Sequence, residues 1–367
     1  MTTELRSTPL DTTENIPPFS EDQTLLRWAL QAEARGILPN EQIAKCMRVP
    51  RAATIDVLYD PEHRKAHYSG LVTCHSVWNC TICAPKISER RRVDITRAVD
   101  HMNELEFPMW MTTYTIRHGR YDSLGELLTA FLNAHDGLRK NKAGRTIKNK
   151  FGIIGTIRAL EVTYGKGTGW HPHVHEIVFG GNKCIDEREL EEGLWKAWKT
   201  ETSRAGLTVN RKAFDFNRTK GAVQDYVSKM GREPIKSPWG VEHEVAKAHI
   251  KQSRFSDRFT PFGMLLAIRD GHTEFVPRFR EYAMWFKGKR QVQWSNGLAK
   301  MLLDEEEKTD KELAEEQQEE AYLLGRLTHD QWNVVLANDV RGEIVWIARA
   351  GDWDQVVAFL IEIGAPV

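Results

Sequence analysis

The feature that most constrains the fold is a pair of alternating segments joined by a glycine-rich turn, at residues 151–180. FGIIGTIRALEVTYG and WHPHVHEIVFG flank the turn GKGTG, whose glycines suit positive φ. This alternation, rich in β-branched residues, predicts an antiparallel hairpin. If pairing is symmetric about the middle glycine of the turn, Glu161 lies opposite His173. Ala159 then lies opposite His175.

Three histidines of the second strand, at alternate positions, are expected on one side of the sheet: His171, His173 and His175. Directly opposed residues have Cβ atoms about 4.5–5.5 Å apart and diagonal ones about 7–8 Å, so Glu161, its opposite His173 and its diagonal neighbour His175 are expected to converge. One carboxylate and two imidazoles are typical of a metal site with open coordination positions. A slip of one residue in the pairing would instead move Glu161 to the opposite face.

The remaining periodicity predicts an α+β fold. Between residues 110 and 230 the order is strand, helix, strand, strand, helix, strand, helix. This order indicates a central antiparallel sheet with flanking helices, accompanied by a cysteine-containing segment and helical terminal regions. Residues 20–59 favour short helices, and residues 321–367 favour a helical stretch.

Four consecutive segments are expected along the chain. They are an N-terminal tail with short helices (1–60), a zinc-binding segment with a basic helix (61–104), the sheet domain (105–300), and an acidic linker with a helical C-terminal region (301–367).

The formal net charge of zero hides an uneven distribution. Residues 304–320 hold ten acidic residues against two lysines, which leaves a net charge of plus eight on the remaining chain. Basic clusters at 86–92, 139–150 and 217–221 are typical of surfaces that attract a phosphate backbone, although solvated helix faces and loops are the alternative. No apolar run reaches the roughly 18 residues of a membrane span. No signal-peptide core opens the chain, so we expect a cytoplasmic protein without a membrane partner.

Three of the five cysteines form a knuckle in CHSVWNCTIC: Cys74, Cys80 and Cys83. This spacing is typical of a structural zinc site, in which thiolates and imidazoles complete a tetrahedron. For the fourth ligand we select His67, while His63 remains an alternative. Three buried reduced cysteines would be the non-metal alternative. Cys46 and Cys184 are interpreted as isolated thiols.

A further helix is predicted in RTKGAVQDYVSKMG, residues 218–231, with Thr219 as its cap and Gly231 at its end. Tyr226 and Lys229 share one stripe of this helix, beside the apolar stripe that packs on the sheet. A tyrosine on an amphipathic helix is normally a core residue. Beside a metal site, however, Tyr226 is a candidate nucleophile with Lys229 next to it.

The motifs resemble those of a known family. HPHVH resembles the histidine–hydrophobic–histidine motif of the HUH endonucleases, and YVSK resembles the YxxK motif of their single-tyrosine members. More specifically, the chain is similar to the rolling-circle replication initiator (Rep) proteins of bacterial plasmids. The likeness includes GLVTCHSVWNCTICAPKISERRR, WMTTYTIRH, RALEVTY and EYAMWFKGKRQVQWSNGL, and it covers roughly residues 68–300.

The resemblance implies a ferredoxin-like or RRM-like HUH fold and metal-dependent nicking and rejoining of single-stranded origin DNA, exposed by a hairpin. His173, His175 and Glu161 would hold Mg²⁺ or Mn²⁺, with His171 supporting them without binding the ion. Tyr226 would form a 5′-phosphotyrosine intermediate, and Lys229 would lower the pKa of the phenol or stabilise phosphate charge.

The cysteine segment and the acidic C-terminal region have further expected roles. Zn²⁺ would order the basic helix, from which Arg90, Arg91 and Arg92 are expected to contact duplex DNA. The acidic linker and C-terminal region lie outside the resemblance. A host helicase and a DNA polymerase are their candidate partners, self-association into a homo-oligomer is another candidate role, and a solubilising role is the alternative. Family members can carry a glutamate one turn before the tyrosine, where this chain has Ala222, so the residue that serves termination is open.

Two alternative functions remain open for the chain. A single-tyrosine transposase would use the same chemistry at a different DNA site, whereas a conjugative relaxase carries its tyrosine before the histidines. A non-catalytic zinc-dependent DNA-binding regulator would use the histidines as a second structural site.

Overall fold

The computed structural model describes residues 19–217, 258–315 and 321–366. Their contacts form two compact units. Within the described residues, the first unit comprises 19–29, 47–72 and 321–366, and the second comprises 30–46, 73–217 and 258–315. The predicted division into four segments remains a prediction. The α+β class is confirmed, because both sheets are antiparallel and both units contain helices.

The strands are β1 (Ile55–Asp60), β2 (Lys65–Ser69), β3 (Met109–Tyr114), β4 (Ile153–Gly165), β5 (Gly169–Gly180), β6 (Phe214–Asn217), β7 (Arg258–Phe259), β8 (Val292–Trp294) and β9 (Tyr322–Leu327). The α-helices are α1 (Phe19–Ile37), α2 (Cys83–Glu104), α3 (Leu124–Lys140), α4 (Lys142–Lys150), α5 (Glu187–Arg204), α6 (Pro261–Arg269), α7 (Val276–Phe286), α8 (Leu298–Leu303), α9 (Asp310–Glu315), α10 (His329–Ala337), α11 (Arg341–Ala348) and α12 (Trp353–Glu362). Among the described residues, every helix is too short or too polar to cross a bilayer.

The first unit contains a three-stranded sheet in the order β2-β1-β9, which the sequence did not predict. Residues 20–59 were expected to form short helices; they contain most of α1 but also most of β1. The C-terminal region, expected to be helical, begins with a strand before its three helices. Tyr68 of β2 packs edge-on against Trp28 and Trp332, with ring centroids 5.8 and 5.1 Å away. Its hydroxyl donates a hydrogen bond to the carbonyl oxygen of Arg341 at 2.8 Å.

The second unit is built on a larger sheet in the order β6-β3-β5-β4-β7, with β8 also paired to β4. The long β4-β5 hairpin forms its centre. The sequence periodicity predicts helices over residues 123–140 and 186–206, and α3 and α5 lie within one or two residues of these bounds. The same pattern predicts a basic loop after residue 140, where the structure instead has helix α4.

The two faces of this sheet carry different helices. Tyr114 of β3 contacts the rings of His135 on α3 and Trp198 on α5, so these two helices pack on its face. On the other face of the sheet, strand side chains form an apolar cluster with α2. The cluster includes Ala159 and Ile177 of the strands and Met102 of α2. Burying each large apolar side chain contributes about 1.5–3 kcal/mol, so this cluster anchors α2 to the sheet.

The α2-bearing face continues beyond that cluster. Side chains of one face recur every second residue of a strand. Glu161 is two residues from Ala159 on β4, and His175 is two residues from Ile177 on β5, so all four side chains share one face. The predicted metal ligands therefore occupy the same face as α2, next to its apolar contact.

Candidate functional site

The hairpin register brings the predicted ligands together. Glu161 pairs with His173 and Ala159 pairs with His175, in the register expected from the turn. Gly169, at the end of that turn, has φ of +81°, and a Cβ atom there would lie 2.6 Å from the carbonyl oxygen of Gly119. Glycine is therefore required at this position both for the backbone conformation and for the close approach.

The three side chains form a compact group of potential metal ligands. One ligand atom from each of Glu161, His173 and His175 lies within 4.8 Å of the other two. The Nε2 atom of His173 is 3.0 Å from Oε2 of Glu161, and Nε2 of His175 is 3.7 Å from Oε1. Two imidazole nitrogens and a carboxylate thus face one point and could hold a metal ion.

The carboxylate sets the electrostatics of the group. Glu161 is only 8% exposed. Burial lowers the pKa of His173, but the hydrogen bond and the charge of Glu161 outweigh burial, so this pKa lies above its ordinary value. Burial lowers the pKa of His175, and the more distant carboxylate does not reverse the shift. The group therefore attracts positive charge in a partly desolvated position.

Each histidine is oriented through its other ring nitrogen. The Nδ1 atom of His173 lies 3.2 Å from the carbonyl oxygen of His171, which can only accept a hydrogen bond. The Nδ1 atom of His175 lies 3.0 Å from the hydroxyl of Thr113 on β3. Thr113 was not identified from the sequence, although its strand was predicted, because only the β3-β5 register pairs it with His175. Such neighbours hold metal-binding imidazoles in a productive orientation.

His171 lies beside the group rather than within it. Its ring centroid is 5.4 Å from that of His173 and 4.8 Å from that of His118. Burial, followed by the charges of His173 and His118, lowers the pKa of His171 to about 3. His171 touches the ligands through its backbone carbonyl, and its predicted supporting role remains a prediction.

Two predicted catalytic residues, Tyr226 and Lys229, lie outside the described residues, as does Ala222. Their assignment as nucleophile and helper remains a prediction from the sequence.

A second potential metal site consists of four cysteines whose sulfurs lie within 4.8 Å of one another: Cys46, Cys74, Cys80 and Cys83. The group is completed by Cys46, which the sequence pattern indicated to be an isolated thiol. Among the described residues, the selected ligand His67 is not part of this group, and its assignment as a ligand remains a prediction. The knuckle alone could not reveal Cys46, because 28 positions separate it from Cys74.

The spacing of the sulfurs suits a tetrahedral ion. Sγ of Cys46 is 3.7 Å from that of Cys80 and 3.6 Å from that of Cys83. A tetrahedron with metal–sulfur bonds of about 2.3 Å has edges of about 3.8 Å. Burial opposes the thiolate form of Cys80, but hydrogen bonds from the other three cysteines hold its pKa well below the ordinary value. These sulfurs could therefore hold a zinc ion.

The predicted DNA-contacting arginines of α2 have intramolecular partners. Arg91 is 6% exposed, donates from Nη1 to the carbonyl oxygen of Val292 at 2.9 Å, and forms an ion pair with Asp310. Arg92 is 7% exposed and pairs with Glu89 at 2.6 Å. Burial therefore disfavours DNA contact for both arginines. A DNA contact by Arg90 remains a prediction.

The described part of the acidic run is not an extended linker. Residues 304–315 include helix α9 and lie against α2, where Arg97 binds Glu305 at 2.9 Å and Arg91 binds Asp310. The acidic side chains thus neutralise cations of the helix expected to bind DNA.

The chain has two curated relatives in Streptomyces. It is 27% identical over 304 residues to "Protein rep" of Streptomyces lividans, with 64% of each chain covered. It is 31% identical over 187 residues to "Neomycin resistance protein" of Streptomyces cyanogenus, covering 42% of this chain and 43% of the relative. The chain therefore spans less than two thirds of the length of either relative. No protein-family model and no solved structure matches it. The similarity to the curated Rep protein supports the family that the sequence motifs indicated, that of the Rep proteins.

Proposed function

We propose that the chain initiates rolling-circle replication of a plasmid by nicking and rejoining single-stranded origin DNA. The observation that carries this proposal is the group of Glu161, His173 and His175, with ligand atoms within 4.8 Å of one another. The similarity to a Rep protein gives independent support. The proposed substrate is a nicking site that a hairpin exposes as a single strand.

The donor set fits a small divalent cation. A carboxylate oxygen with two imidazole nitrogens is compatible with Mn²⁺ or Mg²⁺, and the side chains of His173 and His175 are 13% and 23% exposed. A phosphate group can therefore approach the group from solvent. When bound, the cation would supply Lewis-acid stabilisation of the charge on the scissile phosphate.

The proposed nucleophile is the phenol of Tyr226. Its oxygen would form a bond to phosphorus while the bond from phosphorus to the 3′ oxygen breaks, leaving a 5′-phosphotyrosine and a free 3′-hydroxyl. The phenol proton is balanced by the proton gained by the 3′ oxygen. The ammonium of Lys229 would favour the phenolate. Because the phosphotyrosine retains the energy of the broken bond, rejoining needs no nucleotide cofactor.

The four-cysteine group would hold a structural Zn²⁺. Cys83 is the first residue of α2, and Cys46 lies in the segment that follows α1. A bound ion would therefore join these two parts of the second unit and order the start of the helix that packs on the site face.

The test uses origin DNA from the replicon that encodes the chain, prepared as single-stranded oligonucleotides labelled at the 3′ end. In this chemistry the label stays with the protein, so a labelled band that survives SDS is expected with Mn²⁺ or Mg²⁺. Tyr226→Phe should abolish the band. Tyr121→Phe is the matched control, because Tyr121 is 90% exposed and has no proposed role.

Further variants separate the alternatives. Substituting His173 and His175 together should abolish the adduct while duplex binding persists. An adduct that persists in Tyr226→Phe would reject the proposed nucleophile. Absence of an adduct with any divalent metal, despite binding to origin DNA, would favour the non-catalytic regulator. Cleavage confined to the ends of a mobile element would favour the transposase.

A further inference from the structure

We propose that the outer face of α4 binds the phosphate backbone of the duplex arm beside the nicking site. This inference rests on the proposed function, since it concerns the double-stranded part of the same origin substrate. The outer face is defined here by Lys142, Arg145, Lys148 and Asn149.

One side of α4 is committed to packing within the second unit. A Cβ atom at Gly144 would lie 1.7 Å from the carbonyl oxygen of Leu138, so α4 approaches the end of α3 at a distance that only glycine permits. The side chain of Ile147 lies 3.6 Å from the Cβ position of Gly193 on α5. Gly144 and Ile147 therefore mark the inward side of α4.

The opposite side carries cations without carboxylates. At 100° per residue, Lys142, Arg145 and Asn149 lie roughly opposite Ile147, and Lys148 lies on the flank. The sequence of α4, KAGRTIKNK, contains no acidic residue, and all four of these side chains are exposed. Lysine, arginine and asparagine are residue types that contact DNA phosphates without reading sequence.

These cations differ from those around them in their partners. Lys140 pairs with Asp136, and Lys150 pairs with Glu189. By contrast, no ion pair joins the side chains of Lys142, Arg145 or Lys148 to any residue among 19–217, 258–315 and 321–366.

Three arginines of α2, by comparison, already have carboxylate partners. The buried Arg91 and Arg92 are paired with Asp310 and Glu89, and Arg97 is paired with Glu305. These three arginines therefore offer less positive charge to a polyanion than the three cations of α4. A phosphate backbone that neutralises the three cations would release counterions, which favours binding.

The separation from the metal group suits a duplex arm. Helix α4 ends at Lys150, β4 begins at Ile153, and Glu161 is the ninth residue of that strand. A strand rises about 3.3 Å per residue, so roughly 26 Å separates the start of β4 from Glu161. At about 3.4 Å per base pair, this corresponds to about eight base pairs of duplex. Helix α4 packs with α3 and α5, which lie on the face of the sheet opposite the metal group. A duplex arm that runs from a scissile phosphate at the metal group to α4 must therefore pass the end of the sheet where β4 begins, so it must exceed this length.

The test compares two DNAs, the single-stranded nicking oligonucleotide alone and the same strand with a duplex arm of about twelve base pairs, a length chosen to exceed the eight-base-pair separation. The full chain carrying Lys142→Gln, Arg145→Gln and Lys148→Gln should bind the armed DNA at least tenfold more weakly. Each lost phosphate contact should reduce the salt dependence, so the slope of log Kd against log salt should fall by about 2 to 3. Affinity for the single strand and the rate of adduct formation on it should not change.

The matched control removes three exposed cations that have carboxylate partners. Lys196, Lys287 and Lys300 pair with Glu192, Glu41 and Asp304, and their substitution by glutamine changes the net charge equally. This control should retain both the affinity for the armed DNA and its salt dependence.

Three results would overturn the inference: unchanged binding of the armed DNA by the α4 variant, an equal loss in the control, or an equal loss on the single strand. Failure of the proposed function is measured separately. If wild-type protein forms no adduct but the α4 variant still selectively loses the duplex arm, the nicking proposal fails and the duplex contact stands.

Discussion

The Nε2 atom of His173 lies 3.0 Å from Oε2 of Glu161 on the neighbouring strand. The other oxygen of the same carboxylate faces Nε2 of His175 at 3.7 Å. Glu161 therefore connects the two imidazoles, and its charge raises the pKa of His173 against the effect of burial. The cation affinity of the group should depend on this charge.

Replacing Glu161 by glutamine keeps the size of the side chain and removes its charge. We expect Mn²⁺ affinity, measured by titration calorimetry, to fall at least tenfold, because a neutral amide oxygen is a weaker ligand than a carboxylate. Glu192→Gln is the control, since Glu192 is 52% exposed on α5. Equal Mn²⁺ affinity in wild type and Glu161→Gln would show that this carboxylate is not a ligand.

Thr113→Val tests the neighbour that orients His175. The substitution preserves the shape of the side chain and removes the hydroxyl that lies 3.0 Å from Nδ1. Loss of such a partner typically weakens metal binding by about 10- to 100-fold, so we expect a weaker Mn²⁺ complex with unchanged far-UV circular dichroism. Thr200→Val, on the exposed surface of α5, should bind Mn²⁺ as wild type does. If both variants bind alike, the hydroxyl does not position the ligand.

The local part of the fold could be predicted from the sequence because one hairpin carries most of the information. The central turn and the alternation around it determined which residues of β4 and β5 face each other, including Glu161 and His173. The β1-β9 pairing was missed because it joins Ile55 to Leu327. Pairings so distant along the chain leave no local pattern. The same applies to Thr113, which reaches His175 only through the β3-β5 register.

The burial of the arginine side chains on α2 could not be predicted from the sequence pattern either. A run of three arginines in a helix predicts a cationic surface, but Arg91 is held by Asp310 and by the carbonyl oxygen of Val292. These partners lie more than 200 residues away along the chain. Charge composition therefore identified the acidic and basic segments without revealing that they neutralise each other.

Cys46→Ser tests the fourth position of the cysteine group. We expect zinc affinity to fall more than tenfold and the free energy of unfolding to decrease, because metal binding to a folded site contributes directly to stability. Zinc content by mass spectrometry and urea unfolding would measure the two effects. Cys184→Ser is the control, since Cys184 is exposed and lies outside the group. Zinc binding that survives Cys46→Ser unchanged would restore a histidine as the candidate ligand.

His135 provides a prediction for the pH dependence of stability. It is fully buried beneath the sheet, against the ring of Tyr114 at 5.4 Å. Burial, followed by the charges of Arg158 and Arg139, holds the pKa of His135 well below its ordinary value of 6.5. As pH falls below 6.5, the unfolded chain therefore takes up a proton that the folded chain excludes. His135 should cost up to about 1.4 kcal/mol of stability per pH unit in this range.

His135→Gln removes this titration. The free energy of unfolding should therefore decline less steeply between pH 6.5 and pH 5, by up to about 1.4 kcal/mol per pH unit, which corresponds to one proton. Urea unfolding across that range measures the slope. The comparison is between slopes, because the substitution will also change stability by a constant amount. His272→Gln is the control, since the side chain of His272 is 54% exposed. Other titrating groups are common to all three proteins and cancel in the comparison. A slope for His135→Gln equal to that of wild type would mean that His135 takes up its proton in the folded state as readily as in the unfolded chain.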